Sequence, residues 1–166
     1  MLTIHFNDEI SLDVRLVGGK ALGLAQMIQK GLPVAPGFTV STRAYRQHLA
    51  ESGLDRRVDA LVTGLDHHRM EHLEEAEATI RGWFDASGFP EMLRSDVDAA
   101  YRRLCTDTGV PDVEVAVRSS ATAEDAAGAS FAGEYDTFVG MRGAEEVERF
   151  VCRCWASAFT ARSMAY

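Results

Sequence analysis

Residues 55–107 read as helix almost throughout, and that stretch limits what the remainder of the chain can form. Val62, Leu65, Met70, Leu73, Ala76, Ile80, Trp83 and Phe84 recur at helical spacing. The pattern breaks at Gly64-Leu65-Asp66 and at Ala86-Ser87-Gly88-Phe89-Pro90, where glycine and proline punctuate it. Any sheet must therefore come from the flanks. Residues 2–6, 38–40, 113–117 and 135–139 are short apolar or β-branched runs that predict strands. Residues 20–30 carry a helix pattern closed by Gly31, and Ser41 or Thr42 caps a helix running to about Ser52. Residues 145–166 predict one long helix. The fold class is α+β (mixed α/β): a small sheet with flanking helices and a helical block.

The chain has 166 residues, 46% of them apolar and 25% charged. That fits a single domain, able to bury roughly 70% of its unfolded surface without metal or disulfide. Lysine and arginine number 17 against 25 aspartate and glutamate, a net charge of −8. The acidic balance argues against a nucleic-acid partner, which needs a basic face. No run approaches the ~20 apolar residues of a membrane span. The first residues, Met1-Leu2-Thr3-Ile4-His5-Phe6-Asn7, have neither a basic start nor an apolar core, so they are not a signal peptide. Three cysteines, Cys105, Cys152 and Cys154, form no disulfide framework. The expected location is cytoplasmic.

Two stretches carry chemistry. In Val17-Gly18-Gly19-Lys20-Ala21-Leu22-Gly23-Leu24, two glycines precede a helix start and a lysine stands in its first turn. A helix N-terminus offers N–H groups and partial positive charge to a phosphate, and Lys20 adds a point charge. It is not a P-loop, because Val14 and Ala21 stand where glycine and serine or threonine are needed. A solvated lysine beside a glycine turn fits the same residues. In Val115-Ala116-Val117-Arg118-Ser119-Ser120-Ala121-Thr122-Ala123-Glu124-Asp125, Arg118 ends a strand that reads as buried, and a charge there wants an anionic partner. That partner is a phosphate, or a carboxylate such as Glu124 or Asp125.

Other conspicuous residues have plain readings. His67, His68 and His72 lie on a helix beside Glu71 and Glu75 and read as a solvated face, not a metal site. Cys152 and Cys154 point different ways on one helix and read as packed thiols. Trp155, Phe159 and Met164, with Phe150 nearby, form a core stripe.

The order VGGKALGL, GLPVAPGFTVSTRAY, AVRSSATAEDAAGASFAGEYDTF resembles the N-terminal ATP-binding region of phosphoenolpyruvate synthase, pyruvate phosphate dikinase and rifampicin phosphotransferase. The resemblance runs from about Gly18 to Tyr166. It implies the first lobe of an ATP-grasp module, one lobe over 1–166 with a helical insert at about 55–107, and ATP held against a second lobe. It implies that Lys20 and Arg118 hold ATP phosphates, with Arg118 the catalytic one. Ser130 and Gly133 would lie in a loop covering the phosphates, with Thr137 beside the nucleotide. Ser119, Ser120 and Thr122 would support that loop. Glu134 stands where the family often has glutamine, and Ala35 where it often has proline. Mg²⁺ is implied, with its ligands mostly outside this chain. The implied reaction converts ATP, pyruvate and water to AMP, phosphoenolpyruvate and phosphate through a phosphohistidine on a domain these residues do not contain. The chain alone is then expected to bind nucleotide weakly and not to turn over. An antibiotic phosphotransferase on the same scaffold, or a non-catalytic module completed by another chain, fits these residues as well.

Overall fold

The computed structural model describes residues 1–122 and 136–165. Strand β1 (Thr3–His5) leads through a 3-10 turn at Glu9–Leu12 into helix α1 (Val14–Gln29). Strand β2 (Phe38–Val40) follows, then helices α2 (Thr42–Ser52), α3 (Leu54–Thr63), α4 (Met70–Ser87) and α5 (Glu91–Thr108). Strands β3 (Val115–Arg118) and β4 (Thr137–Met141) precede helices α6 (Ala144–Ala156) and α7 (Ala161–Met164). The strands make two separate antiparallel pairs rather than one sheet. In the first, Thr3 faces Val40 and His5 faces Phe38. Gly37 lies under the Phe6 ring, where a Cβ would come within 2.5 Å of Cε2, and its carbonyl accepts from Phe6 N–H at 3.1 Å.

Local chemistry sets most boundaries. Ser41 Oγ accepts from the Ala44 N–H and starts α2, as predicted. The helical block divides at the predicted glycine and proline breaks. Helix α1 begins earlier than its apolar pattern suggests, because Asp13 caps it through Arg15 N–H. The long helix expected over 145–166 is instead broken. Ser157 is buried and donates its hydroxyl to the Cys154 carbonyl at 2.7 Å, a local bond that competes with helix continuation. Thr160 then caps α7 through Ser163 N–H, and the Ala161 N–H donates to Glu77 on α4 at 2.7 Å. An α4 carboxylate thus fixes where α7 begins.

Among the described residues three apolar clusters form, a small one of Ile4, Val17 and Ala21 that seats α1 on β1 and two larger ones that hold the other helices. Phe89, Leu93, Val97 and Tyr101 meet Val117, Val147 and Val151 in one; Leu54, Val58, Ile80 and Phe84 form the other. Full burial of each such side chain contributes roughly 1.5–3 kcal/mol. Trp155 packs on both larger clusters, which bears out its reading as core. Cys152 and Cys154 are buried, and burial pushes both thiols up to about 12, so they are inert packing groups. His67 and His68 are exposed on the surface, and His67 Nδ1 lies 2.9 Å from the Met164 carbonyl oxygen.

His48 is fully buried on α2 among Phe84, Phe89 and Trp155. Ser87 Oγ donates to the Phe84 carbonyl and lies 3.1 Å from His48 Nε2, so Nε2 carries the proton and donates. Nδ1 has no partner. A second proton would therefore place a cation with an unanswered N–H in the core. Burial holds the His48 pKa below 6.5, against a weaker opposing pull from Glu51. The unfolded chain then binds more protons, so this contribution is intact above pH 6.5 and is lost as pH falls below it. His5, lowered by burial and then by Arg103, acts in the same direction. Glu148, raised by burial, acts in the opposite one. Urea midpoints between pH 7.5 and 5 should fall more steeply for the parent than for His48→Gln; equal slopes would mean His48 does not titrate in the core.

Candidate functional site

The site forms where the end of β3 meets the start of α1. β3 pairs with β4 so that Val117 faces Phe138 and Arg118 faces Thr137. Val117 is the buried residue of β3, whereas Arg118 and Thr137 are exposed. Arg118 is thus not the buried charge its strand suggested, because β3 is covered on one side only. Among the described residues no carboxylate pairs with Arg118. Cys154, on α6, holds this end of the hairpin: its Sγ sits 3.7 Å from the Val117 carbonyl oxygen and 3.6 Å from that of Asp136. Asp136 N–H donates to Ser157 Oγ at 3.3 Å, and its carboxylate reaches Arg81 at 3.9 Å.

After Arg118 the chain crosses to α1. Gly18 interrupts that helix with φ +79° and ψ 171°, a conformation essentially reserved for glycine. Its open side is filled by Ser120, whose carbonyl oxygen would lie 1.9 Å from any Cβ. The Gly19 N–H donates to the Ala121 carbonyl at 3.0 Å, and the Ala21 N–H donates to Ser120 Oγ at 3.0 Å. At Gly19 and Ala21 the glycine turn therefore does not open its backbone to an anion. Two of the N–H groups read as a phosphate cradle, those of Gly19 and Ala21, are answered by the chain's own Ala121 and Ser120. Lys20, between them, is exposed, and its charge is close enough to Cys154 to oppose the rise of that thiol.

Lys20 and Arg118 both border one open cleft of about 690 Å³. Its remaining walls are largely apolar and include Leu16, Val34, Phe38, Val40, Val115 and Trp155. A cleft with two cations and largely apolar walls suits a ligand with an anionic end and a flat apolar body. Thr137 stands beside Arg118 on β4 but is not part of the cleft wall. Ser130 and Gly133 lie outside the described residues, as do Glu124, Asp125 and Glu134. No group of three or more metal-ligating side chains occurs among the described residues, and no helix among them is long and apolar enough to cross a membrane.

Sequence reasoning missed the holding role of Cys154 and the break at Ser157. Neither has a spacing signal: Cys154 sits against backbone carbonyls distant in sequence, and the distant partner of Ser157 is the Asp136 N–H, which donates to its hydroxyl. It grouped Ser120 with a supporting loop but gave no sign that its contact is with α1.

Residues 14–166 match the family described as pyruvate phosphate dikinase, AMP/ATP-binding domain. Over an alignment of 167 positions that takes in the whole chain, it is 42% identical to "Probable phosphoenolpyruvate synthase" of Methanocaldococcus jannaschii, of which it covers 14%. It is 45% identical over 165 residues to phosphoenolpyruvate synthase of Aeropyrum pernix, with 96% of this chain and 20% of that protein aligned. The enzyme of that name from Neisseria meningitidis is 38% identical, with 98% of this chain and 21% of that protein aligned. The chain spans 14 to 24% of the length of its similar relatives.

Proposed function

The chain belongs to the pyruvate phosphate dikinase AMP/ATP-binding domain family, and from that membership we propose that it is the ATP-binding part of a phosphoenolpyruvate synthase-like dikinase. The observation that carries this reading is that Lys20 and Arg118 both line one cleft whose walls are otherwise largely apolar. In it, both cations neutralise the β- and γ-phosphates, Arg118 as a bidentate fork and Lys20 as a point charge. The apolar wall takes the base; Thr137, across the hairpin from Arg118 but outside the cleft wall, is assigned to the nucleotide by the family resemblance alone. Ser130 and Gly133, outside the described residues, are proposed as further phosphate-binding residues on the strength of the family resemblance alone.

The described residues do not suit Mg²⁺, since no cluster of ligands converges on it. Asp136, the carboxylate beside Thr137, is instead near Arg81. Any Mg²⁺ that accompanies ATP takes most of its protein ligands from outside the described residues. We assign those ligands, the phosphohistidine and the site for pyruvate to the greater part of the protein length that the relatives have and this chain does not cover. Phosphoryl transfer needs metal, positioning and charge neutralisation together, so the 166 residues alone bind nucleotide without turnover. The relatives' names favour pyruvate over an antibiotic as acceptor.

Calorimetric titration with ATP and Mg²⁺ tests this. Hydrogen bonds to charged groups contribute about 1.5–3 kcal/mol, so Lys20→Ala and Arg118→Ala should each weaken ATP binding by roughly tenfold or more. Both side chains are exposed, so stability should stay within about 0.5 kcal/mol of the parent. Parent-like affinity in both variants would remove the phosphate assignment.

A further inference from the structure

We propose that Ser120 is a positioning residue that sets Lys20 against Arg118; the inference rests on the ATP reading above. The two cations lie on different elements, α1 and β3, that are joined at this point by a compact joint. Arg118 precedes the Ser120 hydroxyl by two residues, and Lys20 precedes the amide that this hydroxyl accepts from. That hydrogen bond links positions 99 apart in sequence. A second bond, from Gly19 N–H to the Ala121 carbonyl, flanks Lys20 on its other side. The backbone of Ser120 also fills the space that a side chain at position 18 would need. Lys20 is thus held between two anchored amides, and both anchors belong to the segment leaving Arg118.

The chemistry of the joint explains its residue types. Gly18 permits the approach and the positive φ. Ser120 supplies an acceptor to an N–H left without a helical partner where α1 restarts. An alanine at 120 keeps the backbone contact but leaves the Ala21 N–H unanswered. The first turn of the restarted helix can then shift relative to β3. A phosphate bound by both cations is sensitive to such a shift, because charge-assisted hydrogen bonds weaken steeply outside their preferred geometry. A nucleoside without phosphates is not.

The test is Ser120→Ala in the 166-residue chain, titrated separately with ATP and with adenosine. The expected result is roughly tenfold weaker ATP binding, with adenosine affinity within about twofold of the parent; a merely structural role would weaken both. In combination with Lys20→Ala the loss should be less than the product of the single losses, because both act on one contact. Amide exchange at Gly19 and Ala21 should accelerate in Ser120→Ala even without ligand. Unchanged exchange, or a fully multiplicative double variant, overturns the inference. If Lys20→Ala weakens ATP binding and Ser120→Ala does not, Ser120 has no positioning role although the ATP reading stands. If neither Lys20→Ala nor Arg118→Ala changes ATP binding, the reading itself fails, and this inference with it.

Discussion

Gly18→Ala should cost the protein about 2–6 kcal/mol and lower its thermal midpoint by roughly 4–24 °C. Two terms contribute. At φ +79° and ψ 171°, a side chain strains the backbone by about 1–3 kcal/mol. The new Cβ would also lie 1.9 Å from the Ser120 carbonyl oxygen and 2.5 Å from its carbon. Those are backbone atoms anchored through Ala121, so relief requires moving α1 off the β3 exit. Overpacking of this kind adds about 1–3 kcal/mol. At about 2–4 °C per kcal/mol for a chain of this size, the sum gives the stated shift. Gly23→Ala is the control. Gly23 lies within the same helix with nothing near its Cβ position, so alanine there should stabilise by up to about 1 kcal/mol. Scanning calorimetry of both variants decides the matter, and a Gly18→Ala midpoint within 2 °C of the parent, roughly 1 kcal/mol or less, would contradict the contact.

Trp155→Ala should destabilise by about 3–5 kcal/mol, the usual range for a large aromatic removed from a core. Trp155 lies 5.1 Å from the His48 ring, 5.4 Å from Phe89 and 5.4 Å from Tyr45 between centroids. It joins the two larger apolar clusters and also forms part of the cleft wall. Its removal therefore opens a void that the α2, α5 and α6 contacts cannot close without sliding. Trp155→Phe retains an aromatic ring and should lose only about 1–2 kcal/mol. Chemical denaturation of the two variants gives the comparison. A loss below about 1 kcal/mol for the alanine variant would show that the clusters are independent. Because Trp155 lines the cleft, the alanine variant should also weaken ATP binding, unlike a core truncation remote from it.

The helices of residues 55–107 were legible because each must bury one face, and burial writes a period of 3.6 into the sequence. Their ends were legible too, since glycine and proline act locally. Ser157 shows the limit of that reading. Its hydroxyl is compatible with a helix, and Asp136 N–H, donating to it from the β4 side, makes no mark on the neighbouring sequence. The strands were located but not their partition into two pairs, because alternation identifies an exposed and a covered face and says nothing about which edge meets which.

For the site, the residue types were visible. Lysine after a glycine pair and arginine at a strand end are chemistry that the sequence states outright. What remained open was whether Lys20 and Arg118 act together and whether the glycine turn receives an anion or the chain itself. The fold puts both residues on one cleft and sets the chain itself against the turn through contacts between positions 99 apart: Ser120 packs on Gly18 and joins the elements that bear the two cations. The sequence by itself determined the periodic and local features, where each preference depends on residues a few positions away. The two-pair sheet, the exposure of Arg118 and the Ser120 joint were decided only by tertiary structure, because each depends on which distant surfaces come within hydrogen-bonding distance.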